Sequence, residues 1–187
     1  MPELKSKTTL KDKGEEAHIS VEQLMVTLSW TTDVDLDLMV FYEGADGQIG
    51  GIFTDEIPGG DLGSLNDFPY IQHSGDEGVG AQGGDNEETV RITKLDDMSK
   101  VHIITLNYTD AANKKASNFA DYDADVEVLD DKGEAVEVPL NSTTPGTVAN
   151  IAEIDCGPMG AKLINKNEVY DLGTFIEKIP GADALVK

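Results

Sequence analysis

The chain has 187 residues and a formal net charge of −22, from 36 acidic and 14 basic residues. Hydrophobic residues make up 39% of it, which is enough for one packed domain and too many for a disordered acidic tail. The charge excludes free association with nucleic acid and argues against anionic membranes, since both need clusters of Lys and Arg. A single cysteine, Cys156, excludes an intramolecular disulfide, and no apolar run reaches the roughly 18 residues of a membrane span.

The first predicted elements are a polar segment and two strands. Residues 1–20 predict a tail or a short leading strand, and because they carry no secretory signal we expect a cytoplasmic protein. Residues 21–30 and 34–42 alternate between apolar and polar side chains, and this period of 2 is typical of β-strands. Residues 43–88 are rich in Gly, Asp and Asn and predict long loops, which are often functional.

The remaining elements predict an all-β fold. Short strands are predicted at 49–54, 68–72, 88–94, 100–108, 122–129, 134–140, 147–155 and 161–170. Residues 130–133 predict a hairpin turn, and only residues 172–179 have helical spacing. This pattern predicts a β-sandwich of two mostly antiparallel sheets, with long acidic Gly-rich loops and at most a short C-terminal helix. We expect residues 21–187 to form a single domain.

The negative charge is concentrated in one stretch of the chain. Residues 14–90 contain 17 acidic residues and no Lys or Arg. These carboxylates must be solvated, protonated, paired with the distant basic residues or neutralised by bound cations. Compaction of the stretch otherwise works against its own repulsion.

Three of these acids, Asp33, Asp35 and Asp37, alternate along a predicted strand. On a strand they point to one face, with successive carboxylates roughly 7 Å apart. A calcium ion, which takes about 6–8 oxygen ligands, would relieve their repulsion. The alternative is a solvent-facing acidic edge that discourages strand pairing. An EF-hand is excluded, because Leu38 and Gly44 stand where that loop needs Gly and Glu.

A second acidic cluster spans residues 73–88, with five acids, five glycines and no basic residue. Glycines let backbone carbonyls turn inward, and Asp, Asn and Glu add side-chain oxygens, so the loop is suited to calcium. The alternative is a purely flexible loop. The two clusters give the predicted metal ligands: Asp33, Asp35, Asp37, Asp76, Glu77, Asp85, Asn86, Glu87 and Glu88.

Other chemistry is sparse in this sequence. A third acidic run, residues 121–127, alternates with apolar residues and predicts the solvated face of a half-buried strand. His18, His73 and His102 match no zinc motif, and Cys156 has no histidine near it in sequence. We therefore expect a protein that is not an enzyme.

Four segments, in order and spacing, resemble the TerD family of tellurium-resistance and stress proteins. They are Asp33-Val-Asp35-Leu-Asp37, Asp67-Phe68-Pro-Tyr70, His73-Ser-Gly-Asp76, and Gly80 to Asp85-Asn86-Glu87. The resemblance covers roughly residues 20–180. It implies a β-sandwich that binds one or two calcium ions between its acidic loops, in a cytoplasmic stress-response role with sibling proteins as partners.

Seven of the nine predicted metal ligands match acidic positions of the TerD family. These positions are Asp33, Asp35, Asp37, Asp76, Asp85, Asn86 and Glu87.

Two alternative functions stay open at this point. One is binding of a small ligand such as a cyclic nucleotide, although the chain has only Arg91 to hold a phosphate. The other is calcium-dependent binding to a membrane.

Overall fold

The computed structural model describes residues 4, 6–20, 22–32, 34–74 and 86–186. The described part of the chain contains thirteen strands and two short α-helices. The strands are β1 (Ser6–Thr9), β2 (Glu16–Ile19), β3 (Leu24–Trp30), β4 (Leu36–Gly44), β5 (Ile49–Ile52), β6 (Gly63–Ser64), β7 (Ile71–His73), β8 (Asn86–Ile92), β9 (Met98–Asn107), β10 (Asp125–Asp130), β11 (Glu134–Pro139), β12 (Val148–Gly157) and β13 (Gly160–Tyr170). The helices are α1 (Tyr108–Ala112) and α2 (Leu172–Lys178).

The strands form two facing sheets, and the predicted all-β sandwich is confirmed. One sheet has the order β1-β11-β10-β3-β8-β7-β6, and the other has the order β2-β13-β12-β9-β4-β5. The neighbouring strands are antiparallel, except for the parallel pair of β1 and β11. Within the described residues, no helix is both long enough and apolar enough to cross a membrane.

Alternating side chains of β3 and β4 fill the space between the sheets. The buried members of β3 are Leu24, Val26, Leu28 and Trp30, and those of β4 that join the same cluster are Leu36, Leu38 and Val40. The predicted period of 2 in these two segments therefore corresponds to the core face of each strand. Strand β4 is also buried on its opposite face, where Met39 and Phe41 belong to a second apolar cluster.

Helix α2 covers this second cluster on the outer face of the six-stranded sheet. The side chain of Asp171 accepts a hydrogen bond from the Thr174 backbone N–H at 2.8 Å, which caps the first turn of the helix. One turn later Phe175 is fully buried, and its ring meets the ring of Phe41 edge to face at 5.5 Å. The helix lies where the sequence predicts it.

The structure differs from the predicted elements in several places. The strand predicted at 68–72 is found only at Ile71–His73, and β6 (Gly63–Ser64) has no predicted counterpart. The N-terminal segment holds two strands, and they extend different sheets: β1 pairs with β11, and β2 pairs with β13. Helix α1 lies in a region without a predicted helix, directly after β9. The strand predicted at 122–129 begins only at Asp125, because Phe119–Tyr122 form a 3₁₀ helix and Asp123 adopts a left-handed conformation with φ of 51°.

We expect Phe175→Ala to lower the free energy of unfolding by about 3 kcal/mol, because it leaves a cavity over Phe41. Leu172→Ala, at a position that is 38% exposed on the same helix, should cost less than about 1 kcal/mol. Urea denaturation of both variants checks this. Equal losses would contradict the docking of α2 through Phe175.

Candidate functional site

The loop between β3 and β4 is held by side chains at one end of the sandwich. The indole Nε1 of Trp30 donates to the carbonyl oxygen of Val34 at 2.8 Å. The amide nitrogen of Asn86, at the start of β8, donates to the carbonyl oxygen of Thr32 at 2.9 Å. Asn86 is 8% exposed, and its side chain therefore ties the loop to the neighbouring strand. This fixes the backbone that leads into the acidic start of β4.

Asp35 and Asp37 lie at that start, on one face of the chain. Asp37 alternates with Met39 and so points to the outer face of the six-stranded sheet. It is only 3% exposed. Together with Glu56, the two aspartates line a cavity of about 210 Å³. Two carboxylates about 7 Å apart repel each other by about 2 kcal/mol at an effective dielectric constant of about 20.

The sequence pattern does not predict Glu56 as a ligand, and a tight turn brings it to this cavity. The backbone N–H of Ile57 donates to the carbonyl oxygen of Thr54 at 3.2 Å, and that of Gly60 donates to the carbonyl oxygen of Ile57 at 2.9 Å. A Cβ at Gly60 would lie 2.0 Å from the Thr54 carbonyl oxygen, so glycine is required there. The only sequence signal for this turn is the Pro58-Gly59-Gly60 segment, which does not indicate where Glu56 points.

Glu88 lies apart from that cavity, between the two sheets. It is 1% exposed, and its Oε2 accepts a hydrogen bond from the Leu38 backbone N–H at 2.7 Å. Nε2 of His73 lies 2.9 Å from the carbonyl oxygen of Leu38 and 3.6 Å from the same Glu88 oxygen. Strand β5 pairs with β4 only from Val40 onward, so these two side chains engage the backbone of β4 beyond the end of β5.

Glu87 faces the opposite side of the sandwich, on the outer face of the seven-stranded sheet. It lines a polar cavity of about 560 Å³ with Asp123 and Asp125. The hydroxyl of Thr31 donates to Oδ2 of Asp123 at 3.1 Å, which links this cavity to the loop before β4. The sequence predicts Asp123 and Asp125 as part of a solvated strand face, whereas the fold brings both beside a predicted ligand.

The predicted ligands therefore divide among three places. Asp35 and Asp37 share one cavity with Glu56, Glu88 lies between the sheets, and Glu87 lies beside Asp123. The predicted ligands Asp33, Asp76, Glu77 and Asp85 lie outside the described residues. Among the residues that are described, no three His, Cys, Asp or Glu side chains are grouped closely enough to hold a metal ion by themselves. The oxygen atoms that line the Asp35 cavity are of the type that calcium prefers.

Comparison with known structures supports the fold. A crystal structure of a homologue of the telluride resistance protein TerD, from Streptomyces coelicolor A3(2), is 19% identical with a TM-score of 0.56. The match covers 81% of this chain and 92% of that one. SAV2460, a protein of unknown function, is 12% identical with a TM-score of 0.56 and matches over 84% of this chain and 95% of its own. The protein thus has a TerD-like fold.

Comparison of the sequence with family models and with curated proteins does not assign the chain to a family. No family model matches the chain, and no curated protein matches it.

The polar cavity gives a prediction about pH. Burial, followed by the charges of Glu137, Glu127 and Asp123, raises the pKa of Asp125 to about 6. A raised carboxyl pKa means that the folded protein binds the proton more tightly than the unfolded chain does. The stabilising contribution of the protonated group is therefore complete below about pH 4 and is lost as the pH rises through about 6.

We expect Asp125→Asn to raise the free energy of unfolding at pH 7 by about 1 kcal/mol, after allowance for solvent screening at this half-buried position. At pH 4 the gain should vanish, because Asp125 is then already protonated. Urea denaturation in EDTA at the two pH values measures both effects. Asp121→Asn, at an exposed position of the 3₁₀ helix, is the matched control. A gain of equal size at both pH values would contradict the assignment.

Proposed function

We propose that the protein is a calcium-binding stress-response protein of the TerD type, which acts through protein partners and not as an enzyme. The observation that carries the proposal is the cavity lined by Asp35, Asp37 and Glu56. It lies at one end of a sandwich whose fold is that of a TerD homologue. Calcium, when bound, would supply the positive charge that this acidic end of the molecule needs.

The burial of Asp37 makes the cavity a favourable place for a cation. A carboxylate that is 3% exposed loses most of its hydration, which destabilises its charged form. Asp35 and Glu56 add like charges around the same space. A hard cation with flexible oxygen coordination offsets both effects. Calcium suits an irregular set of carboxylates better than magnesium, which demands near-octahedral geometry and keeps its waters.

Hydrogen bonds and strand pairing hold the backbone of Asp35 and Asp37 in place before any ligand binds. The backbone N–H of Tyr108, the first residue of α1, donates to the carbonyl oxygen of Asp35 at 2.9 Å. The residue before β4 is therefore fixed from α1, while Asn86 of β8 holds Thr32 in the same loop. Asp37 is held in the register of β4, opposite Leu106 of β9. Side chains that are already positioned lose little entropy when a ligand binds, which favours affinity. We infer one or two ions, with the predicted ligands Asp33, Asp76, Glu77 and Asp85 as further candidates.

Two features favour calcium binding with protein partners over the alternatives, which are binding of a cyclic nucleotide and calcium-dependent binding to a membrane. The single arginine, Arg91, lines a cavity of only about 50 Å³, which is far smaller than the about 300 Å³ or more of typical ligand sites. The cavity beside Arg91 is therefore too small to hold a cyclic nucleotide. For calcium-dependent membrane binding, the acidic stretch at residues 14–90 offers no basic side chain to contact lipid headgroups. We place the protein in the cytoplasm, with sibling proteins of the same type as its partners.

We expect Asp35→Asn and Asp37→Asn each to weaken calcium binding at least about tenfold, because each removes a charged ligand and keeps the shape of the side chain. Calorimetric titration of calcium into protein stripped of metal measures this. Asp121→Asn is the matched control, since it removes the same charge from an exposed position that does not line the cavity.

In protein without metal, the two site variants should be as stable as the parent or slightly more stable, because they relieve repulsion among like charges. A protein that takes up no calcium at millimolar concentration would contradict the proposal. So would a control variant that loses as much affinity as Asp37→Asn.

A further inference from the structure

A second cavity, of about 510 Å³, opens beside the carboxylate cavity and has a different character. Leu106 of β9 lines it together with Ala111 of α1, Leu172 of α2 and Leu185 near the C-terminus. Ile57 lines both this cavity and the one that holds Asp35. A mostly apolar concavity of this volume has the size and lining of a typical small-ligand site.

Two residues of the apolar lining are exposed to solvent. Tyr108 is 42% exposed and Leu172 is 38% exposed, and both line the cavity. They are two of the five large apolar side chains that are exposed among the described residues. Scattered exposed apolar residues need no explanation, but two that flank one cavity indicate a surface that is covered when a ligand binds.

Two adjacent lysines, Lys114 and Lys115, add positive charge to the same cavity. The ion pairs that lysines form within the described part of the chain use other residues, namely Lys7, Lys94, Lys162 and Lys166. In a protein with a net charge of −22, two such lysines at an apolar cavity form a local site for an anion. Their charge complements a negative head group, and the lining complements an apolar chain.

The turn that carries these lysines is held by hydrogen bonds to Asp110. Oδ2 of Asp110 accepts from the hydroxyl of Ser117 at 2.9 Å and from the amide nitrogen of Asn107 at 3.3 Å. The backbone N–H of Lys115 donates to the Asp110 carbonyl oxygen at 2.8 Å. Lys114 has a φ of 57°, a conformation that residues other than glycine rarely adopt. The backbone N–H of Lys114 also donates to the Ala111 carbonyl oxygen at 3.1 Å, so this left-handed residue ends α1 in a common form of helix C-terminal cap and fixes the position of both lysines.

We propose that this cavity binds a small amphipathic anion, namely a carboxylate with an unbranched apolar chain of medium length. The chain would lie along Leu106 and Leu172, and the carboxylate would meet Lys114 and Lys115. The lysines, Leu106 and Leu172 do not line the proposed calcium cavity, although Ile57 and Tyr108 line both, and binding of the anion is tested without calcium. Binding would depend on the negative head group as well as on the chain.

The test is calorimetric titration of decanoate, below its aggregation concentration, into the intact protein. EDTA is present throughout, so that calcium can neither bridge the carboxylate to the protein nor precipitate it. We expect saturable binding of one decanoate per protein. Decanol, which has the same chain without the charge, should bind at least about fivefold more weakly.

Variants separate the two parts of the site. Lys114→Asn with Lys115→Gln removes both charges, and Asn tolerates the left-handed conformation at position 114. This double variant should bind decanoate about tenfold more weakly while binding decanol as the parent does. Leu172→Ser should weaken both ligands. Lys132→Gln, in the hairpin turn away from the cavity, is the charge control and should change neither affinity.

Absence of saturable decanoate binding to the parent protein would overturn the inference, and would leave a protein segment as the occupant to consider. Equal affinity for decanoate and decanol would overturn the role of the lysines. An effect of Lys132→Gln as large as that of the double variant would mean that overall charge, and not this cavity, governs binding. Circular dichroism verifies that each variant is folded.

Discussion

Repulsion between carboxylates at one end of the sandwich is the constraint on which the rest of the structure depends. Asp35 and Asp37 enter β4 on one face, and the tight turn after β5 adds Glu56 to the same cavity. On the other outer face, Glu87 lines a cavity together with Asp123 and Asp125. Like charges that share a cavity raise the free energy of the folded state, and the burial of the apolar core contributes to offsetting this cost. The fold of a TerD homologue and the proposed calcium site are both consistent with this constraint.

Directional hydrogen bonds keep this end of the molecule ordered. Trp30 and Asn86 fix the loop before β4 through its backbone carbonyls. Glu88 and His73 engage the backbone of Leu38 where β5 no longer covers the strand. Buried polar groups that are engaged in this way specify one arrangement of a core. Two of the predicted ligands, Asn86 and Glu88, therefore have a structural task that the sequence pattern did not indicate.

The fold could be predicted from the sequence because its strands are half-buried. In β3 the apolar residues from Leu24 to Trp30 recur at every second position, and this period marks a core face directly. The same rule could not separate the two faces of β4, since Met39 and Phe41 are buried by α2, which lies far away in sequence. The strands in residues 6–19 are short and largely exposed, so their pairing depends on strands more than 100 residues away.

The candidate site was only partly predictable, for a related physical reason. Alternation places Asp35 and Asp37 on one face, because strand geometry alone determines it. Whether Glu56 and Glu87 lie near these two aspartates depends on how the two sheets pack, and no local sequence pattern encodes that packing. Sequence alternation predicts Asp123 as a solvated residue of a strand, whereas the structure gives it a left-handed conformation beside Thr31, at the end of a 3₁₀ helix.

Amide hydrogen exchange of the intact protein, with and without calcium, tests the central claim most directly. If a cation relieves repulsion at this end, calcium should slow exchange in residues 34–38 and at the start of β8. Exchange in β11, which contains none of the carboxylates that line the two acidic cavities, should change little beyond the global gain in stability. Exchange at residues 34–38 that is the same with and without millimolar calcium would contradict the account.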